Sequence, residues 1–244
     1  MRKTFALLAL CVVSGAFALP YSTSFEAPTF TTGNLNGQDG WEDTLNSYVV
    51  TNTPAAARTG SQGLVYNDPN GTDFPWAFRQ LPINTTNALA SVWVKPGANS
   101  GSTFAFGLDM IFDPLSPDFA TILVANNGDV YGTQGTSTNI NLNLLGNVGN
   151  VSETWVNVTL GTDLANRQVI ASVNGTTFTL PTLSLATNSI LDIDITSILV
   201  NPSATNKLGF AYFDDYTVAA VPEPSLMLLA GMGLAAVARK RRRA

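Results

Sequence analysis

The 244-residue chain has no histidine and a single cysteine, Cys11. Without histidine it has no Ser-His-Asp or Cys-His catalysis and no histidine-ligated zinc. Cys11 sits in an apolar stretch near the start, so everything after it lacks disulfides and thiol nucleophiles. Positive charge is also scarce. Of 12 basic residues, Arg2 and Lys3 open the chain and Arg239 to Arg243 close it, leaving five in residues 19–220. Sixteen of the 17 acidic residues fall in that span, which therefore carries a net charge of −11. A surface this acidic repels nucleic acid and anionic lipid, and suits divalent cations and neutral glycans. Long apolar runs are missing from the interior and occur only at the two ends.

At the N-terminus, Arg2-Lys3 precedes a largely apolar run from Thr4 to Ser14, followed by Ala16-Phe17-Ala18. Charge, apolar segment and small residues in that order form a secretory leader, a signal helix over residues 1–18. Signal peptidase is expected to cut between Ala18 and Leu19. At the C-terminus, Pro222-Glu223-Pro224 precedes the apolar run Ser225 to Ala238 and five cations. As a helix, fourteen residues reach about 21 Å, short of a hydrocarbon core of about 30 Å, so the segment lodges in a bilayer only with help from its flanks. The cations hold that end on the cytoplasmic side, and the prolines leave an extended segment on the other.

This three-part tail resembles the PEP-CTERM sorting signal of Gram-negative, exopolysaccharide-producing bacteria. The resemblance implies that a membrane-embedded exosortase recognises Pro222, Glu223 and Pro224 and cleaves near them. It implies transient anchoring in the inner membrane by residues 221–244, and delivery to the envelope, cell surface or extracellular matrix.

Between the signals, residues 19–220 show almost no helical periodicity. Short apolar or alternating runs rich in Thr, Val and Asn are divided by turn residues, the pattern of an all-β domain. Strands are expected near 21–25, 48–51, 63–66, 77–81, 88–95, 103–112, 121–125, 129–132, 155–160, 168–173, 176–180, 190–199, 207–212 and 216–219. Asn126-Asn127-Gly128 and Asn174-Gly175 tolerate positive φ and predict tight hairpins. Residues 134–150 read as a long loop or irregular edge. So many short strands in one domain predict a two-sheet antiparallel sandwich of jelly-roll type. The segments SFE (24–26), GW (40–41), SQGL (61–64), ETWVNVTL (153–160), VNG (173–175) and YFDDYTV (212–218) resemble the concanavalin-A-like lectin/glucanase sandwiches.

That resemblance implies a structural calcium between the terminal strands, held by Glu26, Asp214 and Asp215; otherwise no cofactor is expected. Calcium takes six to eight oxygens, so backbone carbonyls and water would complete the set. Other acids invite weighing as glycan-cleaving pairs. Asp192 and Asp194 alternate on one strand and so share a face, but DIDITS lacks the third acid of the glucanase pattern. Asp109 and Asp113 form a second pair before Pro114. Solvent-facing aspartates are the simpler reading of both, and no catalytic residue is assigned. For binding, sugar rings stack on exposed indoles. Trp76 follows a polar loop carrying Asp73, and Trp41 follows Gly40; these three are the candidate ligand-binding residues. The size of Trp93 and Trp155 favours burial.

The sequence thus predicts an exported, exosortase-sorted, non-catalytic envelope or matrix protein with glycan as ligand and exopolysaccharide as partner. A glycoside hydrolase or polysaccharide lyase on the same sandwich, and a purely structural matrix protein, are the alternatives.

Overall fold

In a computed structural model the described residues are 20–68, 75–98, 104–113, 119–135, 142–180, 182, 189–201 and 208–220. The leader with Ala18 and Leu19, the Asp73 loop, and the tail with Pro222, Glu223 and Pro224 lie outside them, as do both expected terminal helices.

The described elements are all strands. In chain order they are β1 (Tyr21–Thr23), β2 (Gly33–Asn34), β3 (Glu42–Asp43), β4 (Tyr48–Thr51), β5 (Gly63–Asp68) and β6 (Trp76–Phe78). Next come β7 (Gln80–Thr85), β8 (Ala88–Pro96), β9 (Phe104–Asp113), β10 (Phe119–Ala125), β11 (Asp129–Gly135) and β12 (Asn143–Asn147). The chain continues through β13 (Val156–Asp163), β14 (Gln168–Val173), β15 (Thr176–Thr179), β16 (Ser189–Leu199) and β17 (Gly209–Ala220). They form two antiparallel sheets. The first runs β15-β14-β13-β8-β17-β5-β4-β2, with β1 also on β17. The second runs β12-β11-β10-β9-β16-β6-β3, with β7 also on β16.

Alternation along each strand fills the space between the sheets. Phe104, Phe106, Leu108, Met110 and Phe112 of β9 meet Ala90, Val92 and Val94 of β8, with Ile193 and Ile195 of β16 in the same core. Two hydroxyls cross between the sheets. Tyr216 of β17 donates to the Ile193 carbonyl at 2.6 Å, and Tyr48 Oη lies 3.1 Å from Ser197 Oγ. With no disulfide available, burial and such cross-links hold the sandwich together.

Most of the expected strands are present. Asn174 and Gly175 both take positive φ and close β14 onto β15 in a two-residue hairpin, with Val173 opposite Thr176. One expectation needs correction, and another resolves between its alternatives. The runs near 207–212 and 216–219 are one strand, β17, interrupted by a register shift between Asp214 and Thr217, where Asp215 has φ +48°. Of the two readings of 134–150, the irregular edge is the one found: β12 is the edge strand of the second sheet and pairs with β11 through a register shift. β2 and β3, two residues each, carry no periodic signal.

Candidate functional site

Asp109, Asp192 and Asp194, which were expected on the surface, are buried in the outer face of the second sheet. In β9 the phenylalanines take the core side, so Asp109 points away from it; in β16, Ile193 and Ile195 do the same for Asp192 and Asp194. Register aligns four polar side chains across four strands: Thr133 is opposite Thr121, Thr121 opposite Asp109, and Asp109 opposite Asp194. On the far side of β16, Ala77 of β6 pairs with Ile195, which places half-buried Trp76 and Phe78 on the outer face beside Asp194. One strand further, exposed Glu42 lies opposite Phe78.

This face is closed over its acids. Asp194 is 0 % exposed, Asp109 3 % and Asp192 5 %. Asp109 Oδ1 accepts from the Met110 amide at 2.8 Å and from Thr121 Oγ1 at 3.0 Å. Burial nevertheless outweighs both donors, and with repulsion from Asp192 it pushes the Asp109 carboxyl up to about 7. Asp192 and Asp194 are within hydrogen-bonding reach of each other. As carboxylates, neither oxygen of Asp194 has a partner, nor does Asp192 Oδ1. A proton shared between the two would supply the missing donor. Burial is the main cause: it raises Asp192 to about 6, and together with repulsion from Asp192 and Asp109 it raises Asp194 well above the usual carboxylate range. The pair titrates as a unit. Asp109 belongs with this pair, a grouping that β9–β16 pairing creates and linear spacing does not show.

The residues expected to hold calcium come together by a different logic. Glu26, Asp214 and Asp215 all fasten the segment before β5. Glu26 accepts from the Ser61 and Gln62 amides at 2.7 and 2.6 Å and from Ser61 Oγ at 2.9 Å. Burial opposes the charge, but these donors outweigh it and hold the Glu26 carboxyl below its usual value. Asp214 accepts from the Arg58, Thr59 and Asp215 amides at 2.7, 2.9 and 2.7 Å. Asp215 takes the Arg58 guanidinium and Thr59 Oγ1, each at 2.6 Å. Gly60, at φ +67°, leaves room for the Glu26 carboxylate, into which any Cβ would collide. These oxygens face N–H and O–H donors, a set that does not fit a cation demanding six to eight oxygens. Among the described residues no group of three or more His, Cys, Asp or Glu is placed to hold a metal ion. Millimolar calcium or EDTA is expected to move the melting temperature by less than about 1 °C; a calcium-dependent rise of several degrees would restore the metal assignment.

The tryptophans divide clearly. Trp41 is 0 % exposed, with Nε1 donating to Tyr21 Oη at 2.9 Å and its ring 5.1 Å from that of Tyr216. It is a core residue, which corrects its assignment to ligand binding. Trp93 and Trp155 are half-buried, not sealed. The Arg58 guanidinium lies 3.6 Å from the Trp93 ring centre, and Lys95 Nζ lies 5.2 Å from that of Trp155. Trp76 remains as the tryptophan on the outer face of the second sheet.

With this geometry in place, comparison with known proteins adds two findings. The PEP-CTERM protein-sorting motif matches residues 220–243. The chain is therefore an exported, envelope-associated protein and an exosortase substrate. No curated protein matches it by sequence. Among solved structures, Crh5 transglycosylase in complex with NAG matches at TM-score 0.59 and 15% identity, over 84% of this chain and 86% of its own. Cellulose induced protein, Cip1, matches at TM-score 0.54 and 14% identity, over 82% and 97%. A sialidase matches at TM-score 0.41 and 14% identity over 72% of this chain, which spans only 17% of that protein. At these identities the likeness is one of fold, a two-sheet antiparallel β-sandwich.

Proposed function

We propose that this exosortase substrate is a non-catalytic glycan-binding protein of the cell envelope or extracellular matrix. Its ligand is a neutral polysaccharide held on the outer face of the second sheet. The observation that carries the reading is Trp76 and Phe78 side by side on that face, with the exposed Glu42 carboxylate beyond them. An aromatic surface meets the apolar face of a sugar ring, and a carboxylate accepts from its hydroxyls. The net charge of −11 on residues 19–220 disfavours anionic polymers. Trp76→Ala is expected to weaken binding to neutral glucans by about tenfold on a glycan array or by calorimetry. Absence of binding to any glycan would leave the structural-matrix reading instead.

In this reading residues 19–220 form one jelly-roll domain, released from its leader by signal peptidase and held at the inner membrane by residues 221–244 until exosortase acts. The mature protein then meets exopolysaccharide outside a Gram-negative cell.

One observation favours a glycan-cleaving alternative. Asp192 and Asp194 share a proton next to the aromatic face, the condition of an acid–base pair. Their burial favours binding over cleavage, because a catalytic acid must reach the glycosidic oxygen. Release of reducing sugar or unsaturated ends by the wild type, lost in Asp192→Asn, would reverse that preference.

A further inference from the structure

The sorting motif and the folded body share a residue. The motif match begins at 220, and β17 ends at Ala220, which pairs with Ala88 of β8. One residue, Val221, separates the last rung of the ladder from Pro222. An extended residue spans about 3.5 Å, so the motif begins almost against the sheet. β17 is no disposable edge either. It lies between β8 and β5 in the centre of the first sheet and also pairs with β1: Tyr21 opposite Val218, Ser22 opposite Thr217, Thr23 opposite Tyr216. Because β1 runs antiparallel to β17, the chain before Tyr21 and the chain after Val218 leave the same end of the sandwich on neighbouring strands.

A membrane enzyme that cuts near Pro222–Pro224 has to grip extended backbone on both sides of the scissile bond. On the body side that backbone is β17. We propose that the sandwich gates its own sorting: exosortase acts on the state in which the end of β17 is unpaired, and the stability of that end sets the processing rate. The ladder is graded to suit this. Ala219 is exposed and Ala220 is the last paired residue, so releasing Ala219 withdraws almost nothing from the core. Val218 and Tyr216 are buried, so opening beyond them is opposed by the core. Cleavage of a locally opened state tracks the population of that state.

The test is pulse-chase of the full-length protein in its native host, following conversion of precursor to mature form. Six Gly/Ser residues inserted between Ala220 and Val221 give the enzyme free chain, and processing is expected to speed up about tenfold. Val218→Ala, which weakens the β17 anchor without touching the motif, is expected to speed processing in the native tail and to have no effect in the inserted one. An unchanged rate on insertion overturns the proposal. So does a Val218→Ala effect that is absent from both tails or equal in both, since neither outcome depends on the gap between strand and motif.

Discussion

The processed protein is expected to lose stability as pH rises from about 4 to about 8, the reverse of the usual behaviour of an acidic protein. The cause is the aspartate row of the second sheet. Asp109 ionises near its ordinary value of 3.8 when unfolded, but its carboxyl is pushed up to about 7 in the fold. Between those values the folded state holds a proton that the unfolded state releases, so the contribution is fully present below about 4 and is lost as pH passes about 7. A shift of about three units corresponds to about 4 kcal/mol, an upper bound for the one group. Asp192, raised to about 6, and Asp194, raised further by the same burial, act in the same direction as a pair. Asp214, raised by burial to about 6 against its three amide donors, adds to the trend. Glu26 opposes it: its depressed carboxyl contributes stability that is lost only as pH falls below the ordinary carboxylate range. Urea midpoints at pH 4.5, 6 and 8 read the balance. Asp109→Asn keeps an acceptor for Thr121 and Met110 and removes the charge, so it should flatten the profile and stabilise the protein at pH 8. A wild-type midpoint that rises steadily to pH 8 would mean that the row is solvated and ionised.

Legibility from sequence followed the kind of physics involved. Strands such as β8, β9, β13 and β16 announce themselves through alternation, because one face of each meets the core. The Asn174-Gly175 hairpin is readable because its two residues meet a local φ requirement. The acidic row was only half visible. Alternation puts Asp192 and Asp194 on one face, but nothing local says that β9 lies alongside or that the face is closed, so solvent exposure was the natural expectation. Burial is what turns them into a proton-sharing pair. Likewise Glu26, Asp214 and Asp215 stood out as acids near the two ends of the domain, yet their partners among Arg58 to Gln62 were invisible. A backbone amide carries no sequence signature. The sorting motif was legible, because such a signal is read by an enzyme as sequence and not through a fold.

Trp41→Ala is expected to be the most damaging single change in the sandwich, costing about 3–5 kcal/mol and lowering the melting temperature by about 10 °C or more. The indole fills the space between the first strand and the last. Its ring lies 5.1 Å from Tyr216 of β17, 5.7 Å from Phe25 and 6.4 Å from Tyr21 of β1. Its Nε1–H satisfies Tyr21 Oη, which itself donates to Asp39 Oδ2 at 2.8 Å. Removing the indole opens a cavity and leaves the Tyr21 oxygen without its donor, and that loosens β1 from β17. Trp41→Phe keeps most of the volume and loses the hydrogen bond, so it should cost about 1–2 kcal/mol. The contrast with Trp76 makes the test decisive. Half-buried on the outer face, Trp76→Ala should change glycan binding far more than stability, whereas Trp41→Ala should do the opposite. A Trp41→Ala protein with wild-type melting and no glycan binding would return Trp41 to the ligand site. It would also show that the aromatic cluster between β1 and β17 contributes little to holding the two ends of the chain together.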